Sequence, residues 1–172
     1  WMTNLFNFMD GIDGLVATQS TIAAIVLGFW FHQVGALDLV LLNLTLAGAL
    51  VGFSVLNWRP ARVFLGDIGS LTLGIYFAVM GIVGLTVYDL PVEAFVLLYG
   101  VMLCDTTVTL TVRIVRRERW WEAHSSHFYQ RLVGLGYNHA QVTLFAVAVT
   151  LCLSIYATFL ISDVGSRLLW FV

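Results

Sequence analysis

Charge is what this sequence has least of. Only 10% of its 172 residues are Asp, Glu, Lys or Arg, lysine is absent altogether, 60% are hydrophobic and the mean hydropathy is +0.92. This excludes a soluble globular domain, where about a quarter of residues are charged. Cys104 and Cys152 both lie inside apolar runs, where they suit core filling and cannot complete a soft zinc site with the histidines further along the chain. No repeat with a period of about 20–50 residues and no low-complexity stretch is present, which excludes a solenoid and a disordered tail. The opening Trp1-Met2 lacks the basic segment, short apolar core and small-residue cleavage site of a signal peptide. The chain is expected to be the C-terminal part of a longer protein, forming one membrane domain over residues 1–172.

What is there is long apolar runs. Residues 37–56 are interrupted only by Asp38, Asn43, Thr45 and Ser54, and as a helix they reach roughly 30 Å, the thickness of the hydrocarbon core. By the same test residues 68–88, 91–112 and 142–161 span. Residues 15–31 are a weaker candidate because Thr18, Gln19, Ser20 and Thr21 crowd one end, and a sixth span is expected to begin at Leu168. The runs are apolar on every side, whereas a membrane barrel needs alternating polarity. Helices satisfy their own backbone groups in lipid, so the expected fold is an all-α, polytopic transmembrane bundle of about five spans and the start of a sixth.

Arginine orients the bundle. Seven of the eight arginines fall in two connections, Arg59 and Arg62 in one and Arg113, Arg116, Arg117, Arg119 and Arg131 in the other. By the positive-inside rule both are cytoplasmic. Threading back through two spans returns residues 1–14 to that side. The three polar motifs of the chain therefore share a face, which predicts a single composite site.

In the first motif, Asp10 and Asp13 are three residues apart, so on a helix they share a face with Asn7, and Asn4 extends the strip. Two carboxylates and two amides suit Mg²⁺ or hydrogen bonds from a base and ribose; a solvated helix start accounts for them equally. Ile12 stands where an EF-hand needs a ligand. In the second motif, Gly66-Asp67-Ile68-Gly69-Ser70 sets a carboxylate and a hydroxyl at the mouth of a span, where a hard cation and phosphate are favoured. Arg59 and Arg62 can neutralise phosphate charge, and Phe64 offers a stacking surface; alternatively Asp67 is an N-cap and the arginines are topology markers. The third motif, His124-Ser-Ser-His127-Phe-Tyr-Gln130-Arg131, lies in the 113–141 connection, where ring nitrogens and arginine suit phosphate. Trp120 and Trp121 read as headgroup anchors. Asp105, inside a span, is either a site residue or an interhelical partner.

Together, Asn4-x-x-Asn7-Phe-Met-Asp10-Gly-Ile-Asp13-Gly-Leu, Val63-Phe-Leu-Gly-Asp67-Ile-Gly-Ser70 and His124-Ser-Ser-His127 resemble the polyprenyl-phosphate N-acetylhexosamine-1-phosphate transferases. This superfamily includes the phospho-N-acetylmuramoyl-pentapeptide translocases and the enzymes that initiate O-antigen. The resemblance implies a bacterial inner-membrane enzyme, with its active site on the cytoplasmic face. It would transfer a sugar 1-phosphate from a UDP-N-acetylhexosamine to undecaprenyl phosphate with Mg²⁺ or Mn²⁺, releasing UMP. Carried over by position, Asp67 is the metal ligand, Asn7, Asp10 and Asp13 belong to the nucleotide site, Phe64 stacks on the base, and His124 and His127 contact phosphate. A homodimer is a further expected partner arrangement; a nucleic-acid partner is not expected.

Two departures qualify the resemblance. The family's adjacent aspartate pair is missing, so this chain alone is expected to be inactive. The histidine motif lacks three consecutive histidines, which brings it nearer the O-antigen branch. A CDP-alcohol phosphotransferase is excluded because Asp13-Gly-Leu-Val-Ala17 is followed by Thr18 rather than arginine. A secondary transporter, the remaining alternative, would place ionisable groups near the midplane, and only Asp105 approaches that.

Overall fold

Eight helices and no strand make up the regular structure of the described residues, as the apolar runs predict. The computed structural model describes residues 1–119, 121–122 and 124–168, the side chains of 163–168 excepted. In chain order the helices are α1 (Met2–Met9), α2 (Leu15–Gln33), α3 (Leu37–Asn57), α4 (Gly66–Val87), α5 (Val92–Leu98), α6 (Gly100–Val115), α7 (Phe128–Gly134) and α8 (His139–Leu168). Trp120, the Arg167 side chain and the sixth span expected from Leu168 lie outside the described residues.

Four helices, α2, α3, α4 and the 139–162 part of α8, are each long and apolar enough to cross a membrane. The expected fifth span, residues 91–112, is not one straight helix. It breaks at Tyr99 into α5 and α6, which lie 80° apart. Tyr99 is buried against the rings of Phe6 and Phe77, at centroid distances of 6.4 and 5.9 Å. At Gly100, where α6 begins, a Cβ would come within 3.0 Å of Leu153. A glycine beside an anchored ring lets the chain turn there, and the turn carries Asp105 and its neighbouring threonines toward the polar end of the bundle.

The weakest candidate span proves the most central. In α2, 61% of the spanning window is buried, against 17% in α3. Part of its polar start is paired within the protein, while the Gln19 amide nitrogen and the Ser20 hydroxyl have no hydrogen-bond partner among the described residues. Thr18 and Thr21 donate to the carbonyls of Gly14 and Ala17 at 2.7 and 2.8 Å, and Gln19 accepts from Thr150 of α8 at 2.6 Å. Such pairing is what lets polar residues sit inside a membrane bundle. Trp30 closes the other end, donating to Thr158 at 2.9 Å.

Around α2 pack α3 and α8, while α1 lies on α4 and α6, and α5 on α8. Phe6 and Phe77 stack at 5.3 Å where α1 meets α4. The outer surface is apolar, with Leu41, Val55, Ile68 and Phe159 exposed as a lipid-facing bundle requires. The connections 10–14, 58–65 and 116–138 lie at one end, joined by bonds such as Gly14 N–H to Asn57 Oδ1 at 3.1 Å and Tyr129 O–H to the Phe8 carbonyl at 2.9 Å. The shared face inferred from the arginines is thus present in the fold.

The α1–α4 contact depends on Gly74, where a Cβ would meet Thr3 Cα at 2.6 Å and the Met2 carbonyl at 2.8 Å. Backbone cannot yield as a flexible side chain does, so Gly74→Val should destabilise the detergent-solubilised protein by about 2 kcal/mol. Gly48→Val, with open space around the position, should stay within about 0.5 kcal/mol. Denaturant unfolding of both variants followed by circular dichroism checks this; equal stabilities would refute the close approach of the two helices.

Candidate active site

Helix α1 ends at Met9, and this decides the geometry of the first motif. Asn4, Asn7 and the C-capping Asp10 border a cavity of about 630 Å³, whose lining also includes Trp1, Phe8, Gly11, Leu110, Trp121, Glu122, His124, His127, Tyr129 and Gln130. Asp13 lies beyond the helix end and does not line it. Its carboxylate accepts from the Ala61 N–H at 3.3 Å and lies 3.3 Å from His139 Nδ1, while its carbonyl accepts from Thr143 at 3.1 Å. The expected helical face shared by Asn7, Asp10 and Asp13 is therefore corrected. Gly11 and Gly14 interrupt the helix, and Gly14, with φ 77°, requires glycine's conformational freedom.

The second motif meets the first at Asn7, whose Nδ2 donates to Asp67 Oδ1 at 2.9 Å and to Ser70 Oγ at 3.2 Å. Asp67 stands in the first turn of α4, where the helix dipole favours a carboxylate. The N-cap is Leu65, so the reading of Asp67 as a cap does not hold. Gly66, with φ 60°, makes the turn into the helix.

Asp10 is short of positive charge. Its proton is held up to about pH 6 instead of 3.8, first by burial and second by the Asp67 charge, with the Gly66 N–H working against both. Among the described residues no group of three or more His, Cys, Asp or Glu is arranged to hold a metal. A closed protein cage is therefore not what this site offers.

The third motif forms the opposite wall. Asp105, only 6% exposed on α6, accepts from His127 Nδ1 at 3.0 Å and from the backbone N–H groups of Phe128 and Tyr129 at 2.9 and 3.1 Å. Asp105 thus joins α6 to the start of α7, and it meets the cavity through His127 and Tyr129 without lining it. Gln130 Oε1 accepts from the His127 N–H at 3.1 Å, closing the start of α7. His124 lies 5.0 Å from His127 between ring centroids and pairs with Ser126 at 2.9 Å. Burial lowers the His124 pKa, and the charges of Arg113 and His127 lower it further against Glu118. Tyr129 reaches over to Phe8, and a Cβ on Gly11 would collide with its hydroxyl.

Several expected residues stand apart. Phe64 is 68% exposed, Arg59, Arg62 and Arg131 are exposed, and none of the four lines the cavity. Conversely, Arg113, by sequence one of the arginines that orient the bundle, pairs with Glu118 at 2.8 Å and donates to the Arg119 carbonyl at 3.0 Å, holding the loop before His124. Gln130 was detectable from its place three residues after His127, the spacing of a capping box. Tyr129 belongs to the third motif by sequence but without a role of its own, and no sequence signal points to His139.

A family model for glycosyl transferase family 4 matches residues 1–85, the segment containing the Asn7–Asp67 junction. The chain is 30% identical over 160 residues to a probable undecaprenyl-phosphate N-acetylglucosaminyl 1-phosphate transferase of Bacillus subtilis, covering 91% of this chain and 44% of that one. It is 34% identical over 164 residues to a phospho-N-acetylmuramoyl-pentapeptide-transferase of Moorella thermoacetica, covering 93% and 49%. The chain belongs to glycosyl transferase family 4. Both alignments are long enough to run through the histidine segment, so the family resemblance takes in both walls of the cavity. A third family member, the phospho-N-acetylmuramoyl-pentapeptide-transferase of Streptococcus thermophilus, is 38% identical over 112 residues, 65% of this chain and 31% of the relative. The chain spans less than half the length of each of these three relatives.

The Asp10 shift has a measurable consequence. The native carboxyl keeps its proton to about pH 6 while the unfolded one releases it near 3.8. The native state therefore binds more protons in that window, and stability falls as pH rises through it. Melting curves without divalent cations should show this fall, and Asp10→Asn should remove that part of it. A pH dependence identical in wild type and variant would contradict the shift.

Proposed function

We propose that the full-length protein transfers an N-acetylhexosamine 1-phosphate from a UDP-sugar to undecaprenyl phosphate, releasing UMP and starting a cell-envelope glycan. The observation that carries this reading is that the first and third motifs line one cavity, with Asn7, Asp10, His124 and His127 in its wall, and that the second motif is tied to it through the Asn7–Asp67 bond. Phosphoryl transfer between two anions depends chiefly on charge neutralisation and placement, and amide, carboxylate and imidazole groups around one cavity suit it. The Bacillus and Moorella relatives are named for two variants of such transfer.

Asp67 and Asp10 fit Mg²⁺ or Mn²⁺. The Asp10 pKa is raised to about 6 by burial and then by the nearby Asp67 charge, which sets the two carboxylates close together, and Mg²⁺ takes one or two carboxylates while leaving positions for water and phosphate oxygens. When bound, the ion would neutralise the diphosphate and the developing charge on the leaving UMP. Asn7 orients Asp67 through its amide donor. The histidines bear on phosphate oxygens, and the apolar outer face admits the lipid acceptor from the bilayer.

The exposed residues Phe64, Arg59, Arg62 and Arg131 then serve the base and outer phosphate charge as the nucleotide settles over the cavity, while Asp13 braces the 58–65 connection instead of touching substrate. The arginine-rich end is the cytoplasmic face of a bacterial inner membrane, the side on which UDP-sugars are met. The O-antigen branch remains the preferred pathway on the His-x-x-His spacing. Transport is the less favoured reading, since Asp105, the one ionisable candidate within a span, is occupied by donors from residues 127–129 and Thr109.

Membranes carrying the full-length gene product, given undecaprenyl phosphate, Mg²⁺ and UDP-N-acetylglucosamine, should release UMP. Chelation should abolish release, and Asp67→Asn at equal expression should lower it about 100-fold or more. Absence of UMP from this donor and from a panel of related UDP-sugars would reject the transferase reading.

A further inference from the structure

The Asp105 carboxylate has both oxygens occupied by one short segment and its own helix. Oδ1 accepts from His127 Nδ1 at 3.0 Å, the Phe128 N–H at 2.9 Å and Thr109 Oγ1 at 3.3 Å, and Oδ2 accepts from the Tyr129 N–H at 3.1 Å. Backbone N–H groups can only donate, so the carboxylate acts as the acceptor and His127 carries its proton on Nδ1 in this bond. Neutral imidazole then keeps its lone pair on Nε2. A proton gained or lost by the ring passes through that nitrogen.

Nε2 has no hydrogen-bond partner among the described residues, and His127 lines the same cavity as Asn7 and Asp10. The ring is also confined. Phe8, His124 and Tyr129 flank it at centroid distances of 6.0, 5.0 and 5.8 Å, and the residue is only 2% exposed. A held tautomer and a packed ring are what give an imidazole a defined direction at a site.

We propose that Asp105 is a positioning residue for the transfer reaction: through the His127 Nδ1 bond it fixes the ring so that Nε2 meets the phosphate oxygens of the bound sugar nucleotide. Nε2 accepts a proton when the ring is neutral and donates to a phosphate oxygen when it is charged. This deepens the transferase reading and rests on it. Capping the backbone of α7 is the purely structural alternative, and it does not require His127 to matter.

The test compares Asp105→Asn, His127→Gln and the double variant in the full-length protein, in membranes. Each single variant is expected to lower kcat for UMP release by about 100-fold, with KM for the UDP-sugar changed less than about threefold. The double variant should be no slower than His127→Gln, because a residue that acts through His127 has nothing left to act on. A further loss of about tenfold in the double variant, or an Asp105→Asn enzyme within about threefold of wild type, overturns the proposal.

A second measurement works without turnover. In ¹⁵N-histidine-labelled protein, the signal lost in His127→Gln should report a ring protonated at Nδ1, and Asp105→Asn should change it. An unchanged His127 signal in Asp105→Asn overturns the positioning role even where UMP release is normal. The expected signal in a protein that releases no UMP from any UDP-sugar would instead overturn the transfer reaction.

Discussion

A carboxylate inside a membrane helix is costly unless donors surround it, and the donors Asp105 finds decide where the histidine segment lies. Three of its four bonds come from residues 127–129, so the end of the long 116–127 connection is drawn onto α6. There the carboxylate takes the N–H groups at the start of α7 that an N-cap side chain would otherwise take. Once α7 is fixed, Tyr129 reaches the Phe8 carbonyl at the end of α1. The absence of a side chain at Gly11 leaves room for that hydroxyl. One buried charge thus ties α6, α7 and α1 together and closes one wall of the cavity.

The three carboxylates near the cavity have different electrostatic surroundings. Asp105 is saturated with donors. Asp67 has the Asn7 amide and the N-terminal dipole of α4. Asp10 has burial and a like charge set against one backbone N–H, and its pKa rises accordingly. Unmet negative charge is therefore concentrated where α1 meets α4, while the arginine that does engage nearby, Arg113, is committed to Glu118 and the loop carbonyl of Arg119. In the proposed reaction, a divalent cation arriving with its own phosphate ligands would supply the missing positive charge.

Residues 37–56 and 68–88 were legible as spans because a bilayer demands about 20 apolar residues whatever their neighbours. Residues 91–112 pass the same test as a bent pair of helices, and the 80° turn between them is beyond hydropathy, which carries no information about the packing of Tyr99 and Gly100. Residues 15–31 were under-rated for their polar start; Gln19 finds Thr150 only after α2 and α8 come together. The i,i+3 spacing of Asp10 and Asp13 suggested one helical face, yet the glycines between and after them end the helix. The two carboxylates serve different neighbourhoods as a result.

Composition, the apolar run lengths and the arginine distribution determined by themselves that the chain is a polytopic helical membrane protein with its polar motifs at one end. Those properties follow from transfer of each segment between water and lipid, which sums over local residues. Only tertiary structure decided that Asn7 bonds Asp67, that Asp105 holds His127, that Asp13 turns away toward His139 and Ala61, and that Phe64 stays outside the cavity. Each of these depends on distance between residues as many as 126 positions apart in the chain. Hydrogen bonding is short-ranged and directional, and its partners are settled only when helices pack.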